Sequence, residues 1–397
     1  MTFSPLIMAR ELAIILYLFI FKVLFKVGKW SPIQDKVTFV VSFSENNKSI
    51  YKEMMRQEYS CRTLFLTTEK MVETFRKFDH AETLLFSWKK PWDYLRSVYH
   101  LATSKIIFVD NYYGFLAKSD FKAGVECIQL WHANGAIKKF GLEDPSIISR
   151  GKLAERRFRN VYDRFTKVVV GSDVMGQIFS RAFGLGEERM LKMGVPRTDI
   201  FFNEEKKIKA VGKIHRLYPL LKGKKVILYA PTYREEGLSD AEMKLDLYSI
   251  AREFSEDYKL VIKLHPAVRN QFDVPEELED FVVDASAHRN MNELLFVADI
   301  LITDYSSIPF EFALLEKPII FFMYDRDAYM EERGMWKEFL DLIPGPVAST
   351  SDEVLAILKE YKFNKDHIVA FSKRWNEYSA GRSSKNIVEY IAKRLQG

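Results

Sequence analysis

Short β-branched and apolar runs recur along this chain, and the gaps between them are long enough for a helix. Lys36–Phe43, Thr63–Thr67, Lys105–Asp110, Glu126–Trp131 and Lys167–Gly171 form one series. Lys225–Ala230, Lys259–Leu264, Asp280–Asp284, Asp299–Thr303 and Pro318–Phe322 form a second. Strands joined by helical crossovers pair in parallel, with helices covering both faces. Two series therefore predict two doubly wound α/β domains, and ligands bind beyond the carboxyl ends of their strands. The charged stretch Asn203–Arg216 lacks a strand period and is read as a linker. The expected divisions are a helix over 1–30, one domain over 31–205 and a second over 206–397. The last segment, Asp366–Gln396, reads as helix returning to the first domain. A cleft between the domains is the expected site.

Composition narrows the class. The chain has 397 residues, 48% of them hydrophobic, which excludes a disordered or fibrous protein. The net charge of +5, from 59 basic and 54 acidic residues, is too small to indicate nucleic acid. Cys61 and Cys127 are too few and too isolated for a disulfide framework or a zinc knuckle, which fits a reducing, intracellular compartment.

Leu12–Phe21 is uninterrupted apolar sequence, ten residues long before Lys22 ends it. A spanning helix needs about 17–25 apolar residues. Lys22, Lys26 and Lys29 follow at i, i+4 and i+7, with Trp30 beside them. The expectation is an amphipathic helix lying in the membrane interface, attracted by anionic lipid. A helix docked on the protein's own core is the plainer alternative. A second cluster spans Arg150 to Lys167, where seven basic residues face only Glu155 and Asp163. It reads either as a solvated helix face or as a seat for an anionic headgroup.

Four motifs carry chemistry. Trp131-His132-Ala133-Asn134-Gly135 ends a strand and is followed by Lys138 and Lys139. Histidine is suited to accept a proton near neutral pH, and a lysine to neutralise phosphate. Tyr229–Arg234 ends the first strand of the second series. Pro231 forces a turn there, and Arg234 offers a planar fork for phosphate oxygens. Lys263-Leu264-His265-Pro266 is a second strand-end histidine. Thr303-Asp304-Tyr305-Ser306-Ser307 delivers an aspartate from a strand, then two hydroxyls where a helix begins and backbone N–H groups can hold phosphate. Each has a plain reading too: a capping histidine, a strand-ending turn, a serine N-cap. Two strand-end histidines in different domains are harder to dismiss. No glycine-rich phosphate loop and no metal-ligand spacing stands out.

Together these motifs resemble the CDP-glycerol glycerophosphotransferase family of teichoic acid synthesis. The likeness runs from about residue 36 to 390. It includes Met193-Gly194-Val195-Pro196-Arg197-Thr198-Asp199, His265-Pro266 and the run Ala298–Ser307. It implies a GT-B fold of two Rossmann-like domains, the first for the acceptor and the second for CDP-glycerol. Trp131–Gly141 looks closest to the glycerol-phosphate primases, and the polymerases' additional amino-terminal domain finds no room here. A primase moves glycerol phosphate from CDP-glycerol to N-acetylmannosaminyl-N-acetylglucosaminyl-diphospho-undecaprenol and releases CMP.

On that resemblance His132 and His265 are the expected catalytic residues, with His132 proposed as the base and the exchange of their two roles left open. Asn134, Gly135, Lys138, Thr232, Arg234, Thr303, Asp304, Ser306 and Ser307 are the expected substrate-binding residues. Lys22, Lys26, Lys29 and Trp30 are the expected membrane contacts. No metal is obligatory, with Mg2+ able to accompany the diphosphate. The implied place is the cytoplasmic face of the cell membrane, held peripherally; a homo-oligomer stays open. The alternatives are a glycerol- or ribitol-phosphate polymerase of the same family, a UDP-sugar glycosyltransferase or epimerase, and a non-enzymatic membrane scaffold.

Overall fold

The computed structural model describes residues 5–59, 61–232, 243–265 and 272–396. Tyr233, Arg234 and Pro266, named above, lie outside the described residues. The chain forms two compact units. The first comprises Met1–Ala133, Phe140–Asp199 and Tyr378–Gly397; the second comprises Asn134–Lys139 and Ile200–Glu377.

The first unit is built on a seven-stranded parallel sheet. Its strands are β1 (Gln34–Val41), β2 (Arg62–Thr67), β3 (Ala81–Leu85), β4 (Ser104–Val109), β5 (Glu126–Gln129), β6 (Lys167–Val170) and β7 (Met190–Lys192). They lie in the order β3-β2-β1-β4-β5-β6-β7. Strand direction of travel therefore switches between β1 and β4, where doubly wound sheets open toward ligands. The centre is aromatic: Phe39 on β1 stacks on Phe65 at 5.1 Å and on Phe108 at 4.9 Å. β3 and β7 carry no strand expectation above. β3 is half polar and β7 has three residues, so neither shows a period on its own.

The amino-terminal helix spans Pro5–Gly28. It is not divided into one apolar and one basic face, which corrects the amphipathic expectation. Leu18, Phe21 and Phe25 are buried against the first unit, with Phe21 against Phe115 at 5.1 Å and Phe25 against Phe121 at 5.7 Å. A second apolar stripe, Leu12, Leu16, Phe19, Val23 and Val27, stays exposed. The helix is too rich in apolar residues to hide them on one side. Gly28 lets it approach the Pro91–Thr103 helix, since an added Cβ would meet the Ala102 Cβ at 2.9 Å. Lys29 is taken up by Asp120 at 2.9 Å, so it does not share a free face with Lys22 and Lys26. Among the described residues no helix is long and apolar enough to cross a membrane.

The second unit has a six-stranded parallel sheet. Its strands are β8 (Lys225–Ala230), β9 (Tyr258–Ile262), β10 (Val282–Asp284), β11 (Ile300–Thr303), β12 (Ile319–Phe322) and β13 (Val347–Ala348). The order β10-β9-β8-β11-β12-β13 places its switch between β8 and β11. The stretch read as a linker is instead a helix, Glu204–Leu217. Asn203 caps it by accepting from the Lys206 N–H at 2.9 Å. Glu204 and Glu205 sit at its start and His215 and Arg216 at its end, matching the helix dipole. Its apolar anchors are only Ala210 and Ile214, which is why its periodicity is faint.

The carboxyl-terminal segment is two helices, Lys365–Trp375 and Ser383–Gln396, where one continuous helix is expected. Gly381 lies between them at φ 77°, outside helical geometry. The Ser383 and Ser384 N–H groups both donate to the Asp199 carboxylate, at 2.9 and 2.8 Å, fixing the start of the last helix. Arg394 and Tyr390 anchor its other end on Glu126.

Candidate active site

Each unit gathers polar groups at the carboxyl ends of its switch-point strands. In the first unit Asp110 directly follows the end of β4. This buried carboxylate accepts from the Ser42 and Phe43 N–H groups, at 3.0 and 2.8 Å, at the end of β1. It also accepts from Tyr113 Oη at 2.7 Å and Asn47 Nδ2 at 2.8 Å. Burial pushes the Asp110 carboxyl up to about 6, and these four donors oppose the rise.

β5 ends one strand over, and the chain turns sharply at Trp131, a non-glycine residue with φ 56°. That left-handed conformation costs about 1–2 kcal/mol. It is held by the Trp131 N–H donating to Gln129 Oε1 at 2.8 Å and by Asn46 Nδ2 donating to the Trp131 carbonyl at 3.0 Å. His132 follows, its ring clamped between Phe43 and Trp131 at 4.4 Å from each. Its Nδ1 meets the Asp110 carbonyl at 3.3 Å. A carbonyl only accepts, so Nδ1 carries the proton and Nε2 presents a lone pair. No partner for Nε2 is found among the described residues. Burial holds the imidazole down at about 4, opposed by the Asp110 carbonyl and aided by nearby Arg197. Arg197 donates to the His132 carbonyl at 2.7 Å and, through its N–H, to Asn46 Oδ1 at 2.9 Å. His132 is thus a neutral, oriented imidazole.

In the second unit Asp304 plays at β11 the part that Asp110 plays at β4. Its Oδ1 accepts from the Thr232 N–H and hydroxyl, at 2.8 and 2.6 Å, and from the Tyr305 N–H at 2.6 Å. It is buried and ties the end of β8 to the end of β11. Thr303 donates its hydroxyl to the Ala230 carbonyl at 2.7 Å and lies 3.0 Å from Ser306 Oγ. Ser306 Oγ accepts from the Ile308 N–H at 3.4 Å, while Ser307 makes no side-chain cap bond. The helix that starts there has five residues, Ile308–Phe312.

Tyr305 stacks on Tyr329 with centroids 3.7 Å apart, and Lys138 Nζ stands 5.3 Å from the Tyr329 ring. Lys138 also bears on His265, whose imidazole pKa is lowered first by partial burial, then by Lys263 and Lys138. The loop that carries Lys138 is held by Asn134, which donates to Asn376, and by Gly135. A Cβ at Gly135 would lie 2.6 Å from Phe310 ring carbons, so only glycine fits.

Thr232, Asp304, Thr303 and Ser306 are therefore brought together, and Lys138 and His265 are electrostatic neighbours of each other. His132 belongs to the first unit and His265 to the second. Asp110, Asn47, Phe43, Tyr113, Tyr305 and Tyr329 are not among the residues expected to form the site. Asp110 alone left a signal, as an acidic residue ending a strand otherwise rich in apolar residues. Among the described residues no group of three or more His, Cys, Asp or Glu side chains gathers as metal ligands.

Two parallel sheets, each with a buried aspartate lacing its switch point, define an α/β protein built for ligands at strand ends. Its family is specific: residues 24–393 match the model of the CDP-Glycerol:Poly(glycerophosphate) glycerophosphotransferases, and the chain belongs to that family of transferases. It is 37% identical to the teichoic acid glycerol-phosphate primase of Bacillus subtilis (strain 168), over 91% of this chain and 93% of that one. It is 36% identical to the teichoic acid poly(ribitol-phosphate) polymerase of Bacillus spizizenii (strain ATCC 23059 / NRRL B-14472 / W23), covering 94% of this chain and 58% of that one. Among solved structures, the wall teichoic acid polymerase TagF superposes with a TM-score of 0.80 at 23% identity, covering 100% of this chain and 99% of that one.

Proposed function

We propose that this transferase moves one glycerol phosphate from CDP-glycerol to a lipid-diphosphate-linked N-acetylmannosaminyl-N-acetylglucosamine, releasing CMP. The observation that carries it is the His132 imidazole, neutral and with Nε2 presented. Identity to a primase across nearly the whole of both chains supports the single-addition reading over polymerisation.

His132 Nε2 accepts the proton of the acceptor hydroxyl as its oxygen attacks the glycerol-bearing phosphorus. A new O–P bond forms, the P–O bond to CMP breaks, and the electron pair leaves on the CMP phosphate. Phosphoryl transfer of this kind rests on positioning and charge stabilisation. Lys138 supplies positive charge toward the diphosphate, and His265, beside it, is suited to a phosphate oxygen. Arg234 is proposed for the same diphosphate. Asn134 and Gly135 hold the Lys138 loop. Thr232, Thr303 and Ser306 are proposed to hold the donor, with Ser307 at a phosphate oxygen. Asp304, buried and saturated at Oδ1, positions Thr232. The reaction calls for no metal of the protein's own, and Mg2+ would arrive with the diphosphate. The two-unit architecture is read as GT-B.

Membrane docking is part of the same proposal. The exposed stripe Leu12, Leu16, Phe19, Val23 and Val27, with Trp30 and with Lys22 and Lys26 beside it, suits an interfacial surface. Arg157 grips Glu11 with a 3.0 Å bond, so the helix Ile147–Tyr162 lies alongside. That helix adds exposed Leu153, Lys152 and Arg156 to the surface. An acceptor anchored in the cytoplasmic leaflet would be met there.

The test is incubation with CDP-glycerol and the lipid-linked disaccharide, followed by mass spectrometry. One added glycerol phosphate supports the primase reading. A ladder of additions makes it a polymerase, and acceptance of CDP-ribitol or a UDP-sugar instead overturns the donor.

A further inference from the structure

A cavity of about 260 Å³ opens in the first unit next to the His132 clamp, with which it shares the Trp131 ring. Tyr112, Phe158 and Tyr162 supply further aromatic walls. Polar groups with unused capacity also line it. Asn111 Oδ1 accepts from the Tyr112 N–H at 2.8 Å, and no partner for its Nδ2 is found among the described residues. Asp144 Oδ1 accepts from the Ser146 N–H at 2.8 Å, and Oδ2 has no bond among the described residues. Arg150 stands 5.7 Å from the Phe158 ring and joins no ion pair among the described residues. It sits on the first turn of its helix, set off from the rest by Gly151 at φ 78° and ψ 166°.

This mixture selects among ligands. A hydrocarbon chain would cover Asp144 and Arg150 without pairing either, which is costly. A bare diphosphate would be repelled by Asp144. A pyranose ring has an apolar face for the aromatic walls. Its rim of hydroxyls can donate to a carboxylate and accept from an amide and a guanidinium. We propose that the cavity is a pyranose subsite that seats an amino-sugar ring of the acceptor beside His132. It rests on the acceptor assigned under the proposed function.

The test is independent of turnover. The full chain is titrated with the lipid-free disaccharide N-acetylmannosaminyl-N-acetylglucosamine, followed by saturation-transfer NMR. Arg150→Ala and Asp144→Ala are each expected to weaken binding at least tenfold, with CDP-glycerol affinity and Tm unchanged. Disaccharide binding that is absent from the parent chain, or unaltered in both variants, overturns the subsite. So does displacement of the disaccharide by farnesyl diphosphate, which would make the cavity a lipid seat. Sensitive disaccharide binding in a protein that transfers no glycerol phosphate would support the subsite while rejecting the transfer reaction.

Discussion

The Nδ1–H of His132 donates to the main-chain carbonyl of Asp110 at 3.3 Å, while the Asp110 carboxylate grips the end of the neighbouring strand. One residue therefore sets the tautomer of the imidazole and also fastens β4 to β1. If Nε2 is the base, His132→Ala lowers kcat by about 10²–10⁴, the range for loss of general-base help. CDP-glycerol binding, measured by calorimetry, stays within twofold of the parent. A kcat that barely moves removes His132 from the chemistry.

The acid side of the pH profile follows from the same two residues. Burial holds the imidazole at about 4, so it is unprotonated from pH 5 upward. His132 therefore adds no break near ~6.5 of the kind an ordinary histidine gives, and the acid limb of kcat/KM is expected to fall with Asp110, at about 6. A limb at that ordinary value would show a solvated imidazole and sink the assignment. Stability moves with it. His132 and His100 both titrate at about 4 when folded and near ~6.5 when unfolded. In that window the unfolded chain binds more protons, so stability is lost as pH falls through it. Asp110, raised to about 6, opposes this from there down to the unfolded value of ~3.9. Two groups against one leave a lower Tm at pH 5 than at pH 7, read by calorimetry.

Asp110→Asn keeps the carbonyl that His132 needs but removes one acceptor oxygen from four donors. A buried donor left unpaired costs about 1–3 kcal/mol. The expected result is a stability loss of that size in urea unfolding, with kcat falling and the KM for CDP-glycerol unchanged. Asp110 acts by positioning; a change in KM alone would contradict that role.

Gly135→Ala drives a methyl into the Phe310 ring, since the Cβ would lie 2.6 Å from ring carbons. Overpacking of this kind costs about 1–3 kcal/mol. The loop holding Lys138 must shift to relieve it. Both a lower urea midpoint and weaker CDP-glycerol binding are expected. Unchanged binding would separate the loop from the donor.

Because Leu18, Phe21 and Phe25 are buried, deleting the amino-terminal helix would open the core and confuse any membrane assay. Leu16→Glu with Phe19→Glu touches only the exposed stripe. The double variant is expected to keep its Tm and to sediment less with vesicles of anionic phospholipid. Equal sedimentation would mean that the helix is not the anchor.

The two strand series, the strand ends bearing His132, Thr232, His265 and Asp304, and the family were all legible in the residues themselves. The reason is physical: hydrophobic period and strand-ending polar residues are local signals. Arg234 and Pro266 fall outside the described residues. The helix Glu204–Leu217 escaped notice because charged residues dominate it. The exposed side of the amino-terminal helix escaped because apolar residues ring it, so periodicity could not say which side would be covered.

Sequence by itself determined the α/β class, the family and the identity of the imidazole at the end of β5. Only tertiary structure decided that this imidazole is neutral and which nitrogen carries its proton. Those properties come from Phe43, Asp110 and Arg197, which lie far from His132 along the chain and beside it only once β1, β4 and β5 have paired. Burial and hydrogen bonding depend on distance in space, which no local residue pattern encodes.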